Sequence, residues 1–334
     1  MRKCRIAVIG AGSWGTALAQ SLACSGHEVR LWAYEEEVVE TILSTRENRI
    51  YLPGIEISKA ILPTSDLSHA VANARYVLTV MPSHVCRSLY TEMLPFLQQE
   101  MILVSATKGL EEGSMMRMSE VIQSVVEKRF NPAIAVLSGP SFAREVATGY
   151  PTAIVVACRD SRVARSVQEE FSSKTLRLYT SSDVTGVELG GAVKNVIAIA
   201  AGVIEGLGMG HNPMAALITR GLAEITRLGR AYGARKETLS GLAGLGDLVL
   251  TCTGSLSRNR TVGIELGRGK NLQDIIGSMN TIAEGVKTTG ATLELSRSYG
   301  VEMPITTQVS RILRNEISPQ KAIIELMERS LKDE

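Results

Sequence analysis

Three glycines near the start of the chain restrict its fold more than any other feature does. Gly10, Gly12 and Gly15 have the spacing GxGxxG and stand between the apolar run RIAVI and a helical pattern. In such a strand–turn–helix unit, the first glycine permits a tight turn and the second lets a pyrophosphate approach the backbone. The third lets helix and strand pack closely, and the N–H groups at the helix start favour phosphate charge. We therefore predict a dinucleotide-binding unit here.

The rest of the first half alternates short β-branched runs with helical patterns. The predicted strands are RIAVIG, EVRLWA, YVLTVMP, MILVSAT, AIAVLSG, TAIVVAC and a candidate last strand, TLRLYTS. The predicted helices include 14–25, 35–44, 84–95 and 115–129. This alternation indicates a mainly parallel sheet covered by helices. We assign residues 1–182 to a Rossmann-type NAD(P)-binding domain.

After about residue 182 the β-branched runs stop and helical patterns follow. The predicted helices are 186–206, 212–232, 256–267, 284–299, 304–314 and 318–331. We assign residues 183–334 to an α-helical substrate-binding and catalytic domain, and two domains suit a chain of 334 residues. The predicted fold class is α/β, a Rossmann-type domain followed by an all-α domain.

Composition argues against several classes of function. The net charge of +2 and the aromatic content of 4% are too low for a nucleic-acid binder. Five scattered cysteines, none at CxxC spacing, predict no metal site and suit a reducing cytoplasm. We find no apolar run of about 18 residues and therefore expect a cytoplasmic protein without a membrane span.

One predicted helix of the second half carries a lysine among small and apolar residues. The segment GVELGGAVKNVIAIAAGVIEGLG is apolar nearly all round, which is typical of a buried helix, and it contains Lys194 and Asn195. A lysine can extend its stem to solvent, but a buried amine has a lowered pKa and exchanges protons near neutrality. The small neighbours one and two turns away favour a buried, catalytic Lys194.

A second polar group follows in GLAGLGDLVLTCTGSLSRNR. Asp247 is either the N-cap of a helix or a charge partner for Lys194, and the sequence leaves these interpretations balanced. Ser257, Arg258 and Asn259 can bind a phosphate together, because the arginine fork matches phosphate oxygens. Taken alone, however, the same run is better explained as a polar helix start.

Two loops of the first half lie where open parallel sheets bind ligands, outside the carboxyl ends of strands. Lys108 follows one predicted strand, and Gly139 and Ser141 follow another. The alternative is ordinary turn chemistry. We interpret His84, in the similar turn MPSHV, as a helix-start residue rather than a proton donor.

The end of the second strand should select between the two nicotinamide cofactors. NAD enzymes usually place an acid there for the ribose 2′-OH, whereas this chain has Trp32, Ala33 and Tyr34. The acids Glu35–Glu37 come slightly later and suit the start of a helix. No arginine stands there for a 2′-phosphate either, so the choice stays open, and we favour NADPH or dual use.

Several long segments together resemble one enzyme family. The chain is similar to bacterial biosynthetic NAD(P)-dependent glycerol-3-phosphate dehydrogenase over essentially its whole length. The segments that carry the resemblance, in this order, are GAGSWGTALA, PSHV, ATKGLE, SGPSFAREV, GAVKNVIAIAAG, ALITRGLAE, GLAGLGDLVLTCTGSLSRNR and GVEMPI.

The resemblance implies a reaction and its residues. The expected reaction is the reversible reduction of dihydroxyacetone phosphate to sn-glycerol 3-phosphate, a glycerophospholipid precursor, with NADPH or NADH, and the expected assembly is a homodimer without a metal. Lys194, as general acid and base, and Asp247 are the implied catalytic residues. The implied substrate contacts are Lys108, Gly139, Ser141, Lys194, Asp247, Ser257, Arg258 and Asn259. The cofactor positions, including the motif glycines, are Gly10, Gly12, Ser13, Trp14, Gly15, Tyr34, Lys108, Ala143, Arg258, Ile282 and Glu284.

Two alternatives remain. A β-hydroxyacid or ketopantoate reductase also uses a lysine on a helix, but it is not expected to carry SRN after GLGDLVLTCT. A protein that senses NAD(P) without turnover is expected to lack the lysine or the arginine. Lys194, Asp247 and Arg258 are all present, which favours the enzyme.

Overall fold

The first half of the chain forms an eight-stranded sheet in the computed structural model, which describes residues 4–279 and 283–331. The strands of this half are β1 Arg5–Ile9, β2 Glu28–Trp32, β3 Glu47–Asn48, β4 Leu52–Glu56, β5 Ile61–Thr64, β6 Tyr76–Thr79, β7 Ile102–Ser105, β8 Ala133–Ser138, β9 Thr152–Ala157 and β10 Leu176–Ser181. In the large sheet the strand order is β10-β9-β8-β7-β6-β1-β2-β5, and neighbouring strands are parallel except for the antiparallel pair β8 and β9. The strands β3 and β4 form a separate antiparallel pair.

Helices cover this sheet as the alternating pattern predicts. All seven predicted strands form, whereas β3, β4, β5 and the helices α3, α6 and α7 were not assigned from the sequence. The helix α7 buries Ala164, Val167 and Phe171 along one face, and Asp160 caps it by accepting from the Arg162 N–H at 2.8 Å. The helices of this half are α1 Ser13–Cys24, α2 Glu36–Thr45, α3 Leu67–Val71, α4 Cys86–Met93, α5 Met118–Val126, α6 Ala143–Ala147 and α7 Ser161–Phe171.

The glycine turn between β1 and α1 is tightly packed at two of its three glycines. Gly10 has a φ of +115°, and a Cβ there would lie 2.3 Å from the Val80 carbonyl oxygen. A Cβ at Gly15 would lie 1.8 Å from the Gly10 carbonyl oxygen, so only glycine lets α1 begin this close to β1. A Cβ at Gly12, in contrast, would meet open space.

The described residues after 183 form helices and no strand. The α/β fold class is therefore confirmed, while the boundary at 182/183 stays a prediction. One π-helical turn, Leu242–Gly246, directly precedes α11. The helices are α8 Val184–Gly206, α9 His211–Ala231, α10 Lys236–Leu239, α11 Asp247–Thr253, α12 Arg258–Gly267, α13 Leu272–Gly277, α14 Glu284–Ser298, α15 Pro304–Leu313 and α16 Pro319–Met327.

The helix α8 is the centre of the helical half, and glycines let α12 cross it at close range. A Cβ at Gly202 would lie 2.0 Å from the Arg260 carbonyl oxygen, and one at Gly263 equally close to that of Ile199. One turn later, Gly206 and Gly267 repeat this close approach. The crossing fixes the start of α12 relative to α8.

The same helix corrects one expectation from the sequence. By length and composition, α8 could cross a bilayer, since its mean hydropathy is 1.6, so an apolar run of that kind does exist. However, 94% of its apolar window is buried inside the protein, as is typical of a core helix. Within residues 4–279 and 283–331, the segments 236–253 and 258–267 are also long and apolar enough to cross a bilayer if they are counted as one helix bent by 48°.

Candidate active site

Lys194 lies at the centre of the candidate site, on α8, and is 5% exposed. Its Nζ donates to Asp247 Oδ1 and, at 2.6 Å, to Thr251 Oγ1. The second carboxylate oxygen of Asp247 accepts from Lys108 Nζ at 2.8 Å. One buried carboxylate therefore holds two ammonium groups, which together form the lysine–aspartate cluster of Lys194, Asp247 and Lys108.

The surroundings of Lys194 determine its proton affinity. Burial lowers the pKa of the Lys194 amine to about 7; the Asp247 carboxylate opposes this shift, and the positive charge of Lys108 adds to it. A lysine in this state can give up and regain a proton near neutral pH. The buried environment predicted from the sequence is confirmed.

Asp247 is a charge partner and not the cap of a helix. It is the first residue of α11, where Gly246 holds the N-cap position, and its carboxylate faces the two lysines. The π-helical turn before it packs closely against α8. A Cβ at Gly190 would lie only 2.6 Å from the Ala243 carbonyl oxygen, so glycine is needed for this close packing. Such π-helical turns are frequent at functional sites, and this one places Asp247 against Lys194.

The carboxyl ends of β7 and β8 complete one wall. Lys108 follows β7, and its Nζ also donates to the Gly139 carbonyl at 3.2 Å. Gly139 follows β8 with a φ of +140°, and Ser141 Oγ donates to the same carbonyl at 3.0 Å. The structure thus brings Lys108, Gly139, Ser141, Asp247 and Lys194 together.

The start of α12 forms a second wall. Ser257 caps this helix by accepting from the Arg260 N–H at 3.3 Å. The alternative interpretation of this run, a polar helix start, therefore describes its local structure correctly. Asn259 donates to Asn195 Oδ1 at 3.0 Å and accepts from the Gly285 N–H at 2.9 Å. These contacts tie α12, α8 and α14 together beside Lys194. Arg258 is an exposed residue by its total surface, but burial of its guanidinium lowers its pKa, and the charge of Glu284 opposes this shift.

The predicted cofactor residues fit a dinucleotide at the glycine turn. The helix α1 begins without a side-chain cap among the described residues and has no acid in its first turn. The open space at Gly12 leaves room for a pyrophosphate. The buried Trp14 Nε1 has no hydrogen-bond partner in the described part of the chain, so an acceptor from a ligand would satisfy it.

Other predicted cofactor positions are distributed around the cleft. Ala143, at the start of α6, packs in the same small apolar cluster as Trp14. Glu284 Oε2 accepts from Ser83 Oγ at 2.9 Å and so links the end of β6 to α14. Burial raises the pKa of the Glu284 carboxyl. Tyr34 is 81% exposed beyond β2, and Ile282 lies outside the described residues.

Comparison with known proteins identifies the family. Two family models, the N-terminal and C-terminal parts of NAD-dependent glycerol-3-phosphate dehydrogenase, match residues 5–164 and 183–324. The chain belongs to the NAD-dependent glycerol-3-phosphate dehydrogenase family. It is 59% identical to glycerol-3-phosphate dehydrogenase [NAD(P)+] of Koribacter versatilis, over 97% of both chains. The crystal structure of glycerol-3-phosphate dehydrogenase from Coxiella burnetii has a TM-score of 0.93 and 41% identity, with 98% and 99% of the chains covered.

A more distant structure addresses one alternative. A ketopantoate reductase of Ralstonia eutropha has a TM-score of 0.59 and 18% identity, and 96% and 99% of the chains are covered. This likeness shows a shared fold alone. The predicted family, the enzyme class of an NAD(P)-dependent glycerol-3-phosphate dehydrogenase and the NAD(P) cofactor are confirmed. The roles of individual site residues stay predictions.

Sequence reasoning missed three residues of this candidate site. Thr251 lies one turn after Asp247 on α11, and the i, i+4 spacing could have placed both side chains on one face. Asn195 adjoins Lys194 but had no assigned role. Ser83 lies in MPSHV beside His84, which occupies a short 3₁₀ helix as expected of a helix-start residue.

One group with metal-binding side chains lies elsewhere in the described residues. Cys4, His27 and Glu170 bring their ligand atoms within 4.8 Å of one another at the amino ends of the strands. Cys4 Sγ lies 3.2 Å from His27 Nδ1, and His27 Nε2 lies 2.9 Å from the Glu170 carbonyl oxygen. Hydrogen bonding within the protein therefore accounts for this histidine, and the group is remote from the site.

Proposed function

We propose that this chain reversibly reduces dihydroxyacetone phosphate to sn-glycerol 3-phosphate, with Lys194 as general acid in reduction and general base in oxidation. The observation that carries the proposal is the buried Lys194 amine, held by Asp247 and Thr251, with its pKa lowered to about 7. The product is a building block for glycerophospholipids.

Proton transfer is the step that the chain itself performs. When bound, reduced NAD(P) supplies a hydride to the carbonyl carbon of the substrate. As negative charge develops on the carbonyl oxygen, the Lys194 ammonium stabilises that charge and then donates its proton. Asp247 keeps the amine oriented and protonated until transfer, and Thr251, one turn later on the same helix, accepts a second hydrogen bond from it.

Asp247 also recruits a second positive group. It fixes Lys108 beside the carbonyl of Gly139, so two ammonium groups lie at the carboxyl ends of β7 and β8. The substrate is an anion, and positive charge in a half-buried cleft attracts it. We assign Lys108, Gly139 and Ser141 to substrate contacts on this wall.

The phosphate of the substrate is remote from the reacting carbon and needs its own site. Arg258 is the first residue of the ten-residue helix α12, whose first N–H groups favour an anion, and its guanidinium can pair with phosphate oxygens. Ser257 and Asn259 flank it, and we assign all three residues to the phosphate. Binding there would hold the carbonyl in a fixed position relative to Lys194, which accelerates the reaction by orientation.

The cofactor residues are proposed on the fit of the glycine turn. Gly10, Gly12 and Gly15 would accommodate the pyrophosphate with Ser13 and Trp14 at the start of α1. The remaining proposed contacts are Tyr34, Lys108, Ala143, Ile282, Arg258 and Glu284.

The direct test follows the absorbance of NADH and NADPH with dihydroxyacetone phosphate as substrate. We expect cofactor oxidation that requires the phosphorylated ketone, with dihydroxyacetone as the matched control. Oxidation of similar rate with the unphosphorylated ketone, or binding of cofactor without any turnover, would contradict the proposal. Ketopantoate serves as the substrate of the alternative reductase and should not be reduced.

We also propose a cytoplasmic homodimer, as the family resemblance implies. All five cysteines are free thiols in the structure, which suits a reducing compartment. Light scattering should give twice the 36.0 kDa mass of the chain, and a mass of one chain at micromolar concentration would contradict the dimer.

A further inference from the structure

The corner between the end of β2 and the start of α1 carries polar contacts that the proposed proton transfer does not use. The hydroxyl of Tyr51 donates to Glu35 Oε1 at 2.8 Å. The carbonyl of the same residue accepts from Ser13 Oγ at 2.5 Å. Tyr51 therefore connects the acid just after β2 to the first residue of α1.

Tyr51 is itself held in place by a buried amide. Asn48, 1% exposed, accepts from the Tyr51 N–H at 3.1 Å and donates to the Ala11 carbonyl at 2.8 Å. The burial of Tyr51 and the neighbouring Glu35 carboxylate raise the pKa of its phenol to about 12, so the hydroxyl stays a donor at neutral pH. The Glu35 carboxylate is thereby held near the glycine turn rather than left to move freely in solvent.

This corner corresponds to the adenosine end of a dinucleotide site. In Rossmann-type domains the pyrophosphate lies at the start of the first helix, and the adenosine ribose lies at the end of the second strand. NAD enzymes place an acid about 20 residues after the glycine motif for the ribose 2′-OH. Glu35 stands at that distance from Gly15, and the structure gives it a fixed partner.

The charges around this corner oppose an extra phosphate. Glu36 and Glu37 are exposed in the first turn of α2, directly after Glu35. The nearby arginines bind protein oxygens instead: Arg46 and Arg144 donate to backbone carbonyls, and Arg49 donates to Glu47 at 3.4 Å. A 2′-phosphate would therefore meet negative charge, while these three arginines of the described part of the chain already donate to protein oxygens.

We propose that this chain prefers NADH to NADPH, because Glu35, held by Tyr51, accepts the ribose 2′-OH and repels a 2′-phosphate. The preference deepens the proposed function and rests on it for turnover, although cofactor binding can be measured without it. It goes beyond the expectation of NADPH or dual use, which treated the acids after Tyr34 only as the start of a helix.

The test measures Kd for NADH and NADPH by calorimetry without substrate, and kcat/KM for both with dihydroxyacetone phosphate. We expect the wild type to bind NADH about tenfold more tightly or better. Glu35→Gln should reduce the ratio of the NADPH Kd to the NADH Kd about tenfold, mainly by tighter NADPH binding. The reason is that the amide keeps the Tyr51 contact but loses the charge. Tyr51→Phe should shift the ratio in the same direction by less.

Glu37→Gln is the matched control, since it removes an exposed acid of the same turn and should leave the ratio unchanged. Thermal melting establishes that each variant folds. Tighter NADPH binding by the wild type, or an unchanged ratio in a folded Glu35→Gln variant, would overturn the preference. If NADH binds more tightly in a Glu35-dependent way while neither cofactor supports turnover, the preference stands and the proposed reaction fails.

Discussion

The glycine turn and the lysine–aspartate cluster lie at the same edge of the sheet, but they are assembled over very different lengths of chain. The glycine turn is complete within Gly10–Gly15. In the cluster, Lys194 and Asp247 are 53 positions apart, and Lys108 and Asp247 are 139 apart. A local motif can therefore be predicted from spacing alone, whereas the cluster exists only after the two halves have packed. Mutations in the cluster should therefore lower kcat, whereas mutations in the glycine turn should lower stability and cofactor binding.

The largest expected effect is a loss of kcat without a loss of cofactor binding. Lys194→Ala removes the proton donor and should lower kcat by about 10³-fold, roughly 4 kcal/mol, whereas Kd for the cofactor should stay nearly unchanged. Steady-state kinetics and calorimetry measure the two quantities. Lys128→Ala, at an exposed position, is the control. A Lys194→Ala variant with near-normal turnover would remove this residue from the mechanism.

At the glycine turn the expected effect is on folding and cofactor binding. Gly10→Ala places a Cβ 2.3 Å from the Val80 carbonyl at a φ of +115°, so the free energy of unfolding should fall by about 3 kcal/mol. Gly26→Ala is matched, since Gly26 has a φ of +93° but open space, and it should cost about 1 kcal/mol. Equal costs in urea denaturation would show that the close contact with Val80 does not matter.

Asp247→Asn tests whether the charge of Asp247 controls the proton affinity of Lys194. Because the Asp247 charge raises the pKa of Lys194, its loss should lower that pKa further and leave less ammonium at neutral pH. We expect kcat for reduction at pH 7 to fall about 100-fold and its pH profile to move to lower pH. Glu237→Gln, on the exposed surface of α10, should change neither quantity. A profile that moves to higher pH would contradict this electrostatic role.

Thr251 provides the smallest expected effect. Thr251→Val removes the hydroxyl that accepts from Lys194 at 2.6 Å and should lower kcat about tenfold, while Thr251→Ser should restore most of it. The serine variant separates the hydrogen bond from packing of the methyl group. Equal losses in both variants would indicate that Thr251 acts through packing.

Sequence patterns predicted those parts of the molecule that neighbouring residues determine. The glycine turn, the seven β-branched strands and the buried helix around Lys194 follow from spacing and composition. The strands β4 and β5 were missed because they contain Pro53 and Pro63, and proline usually argues against a strand except at an edge, where β5 lies.

The sequence could not determine the partners of Asp247. Its neighbours predict a helix start equally well, and only the packing of α11 against α8 brings its carboxylate to Lys194. The same holds for Asn259, whose contacts with Asn195 and Gly285 depend on where α12 and α14 lie. Long-range contacts of this kind have no spacing rule in the chain.

The pH dependence of kcat in both directions tests the central claim, that one buried lysine near its pKa moves the proton. Reduction requires protonated Lys194 and should decline as pH rises through about 7, whereas oxidation requires the neutral amine and should rise through the same range. Opposite slopes around one midpoint would support the account. Profiles that run parallel, or that show no inflection between about pH 6 and 8, would contradict it.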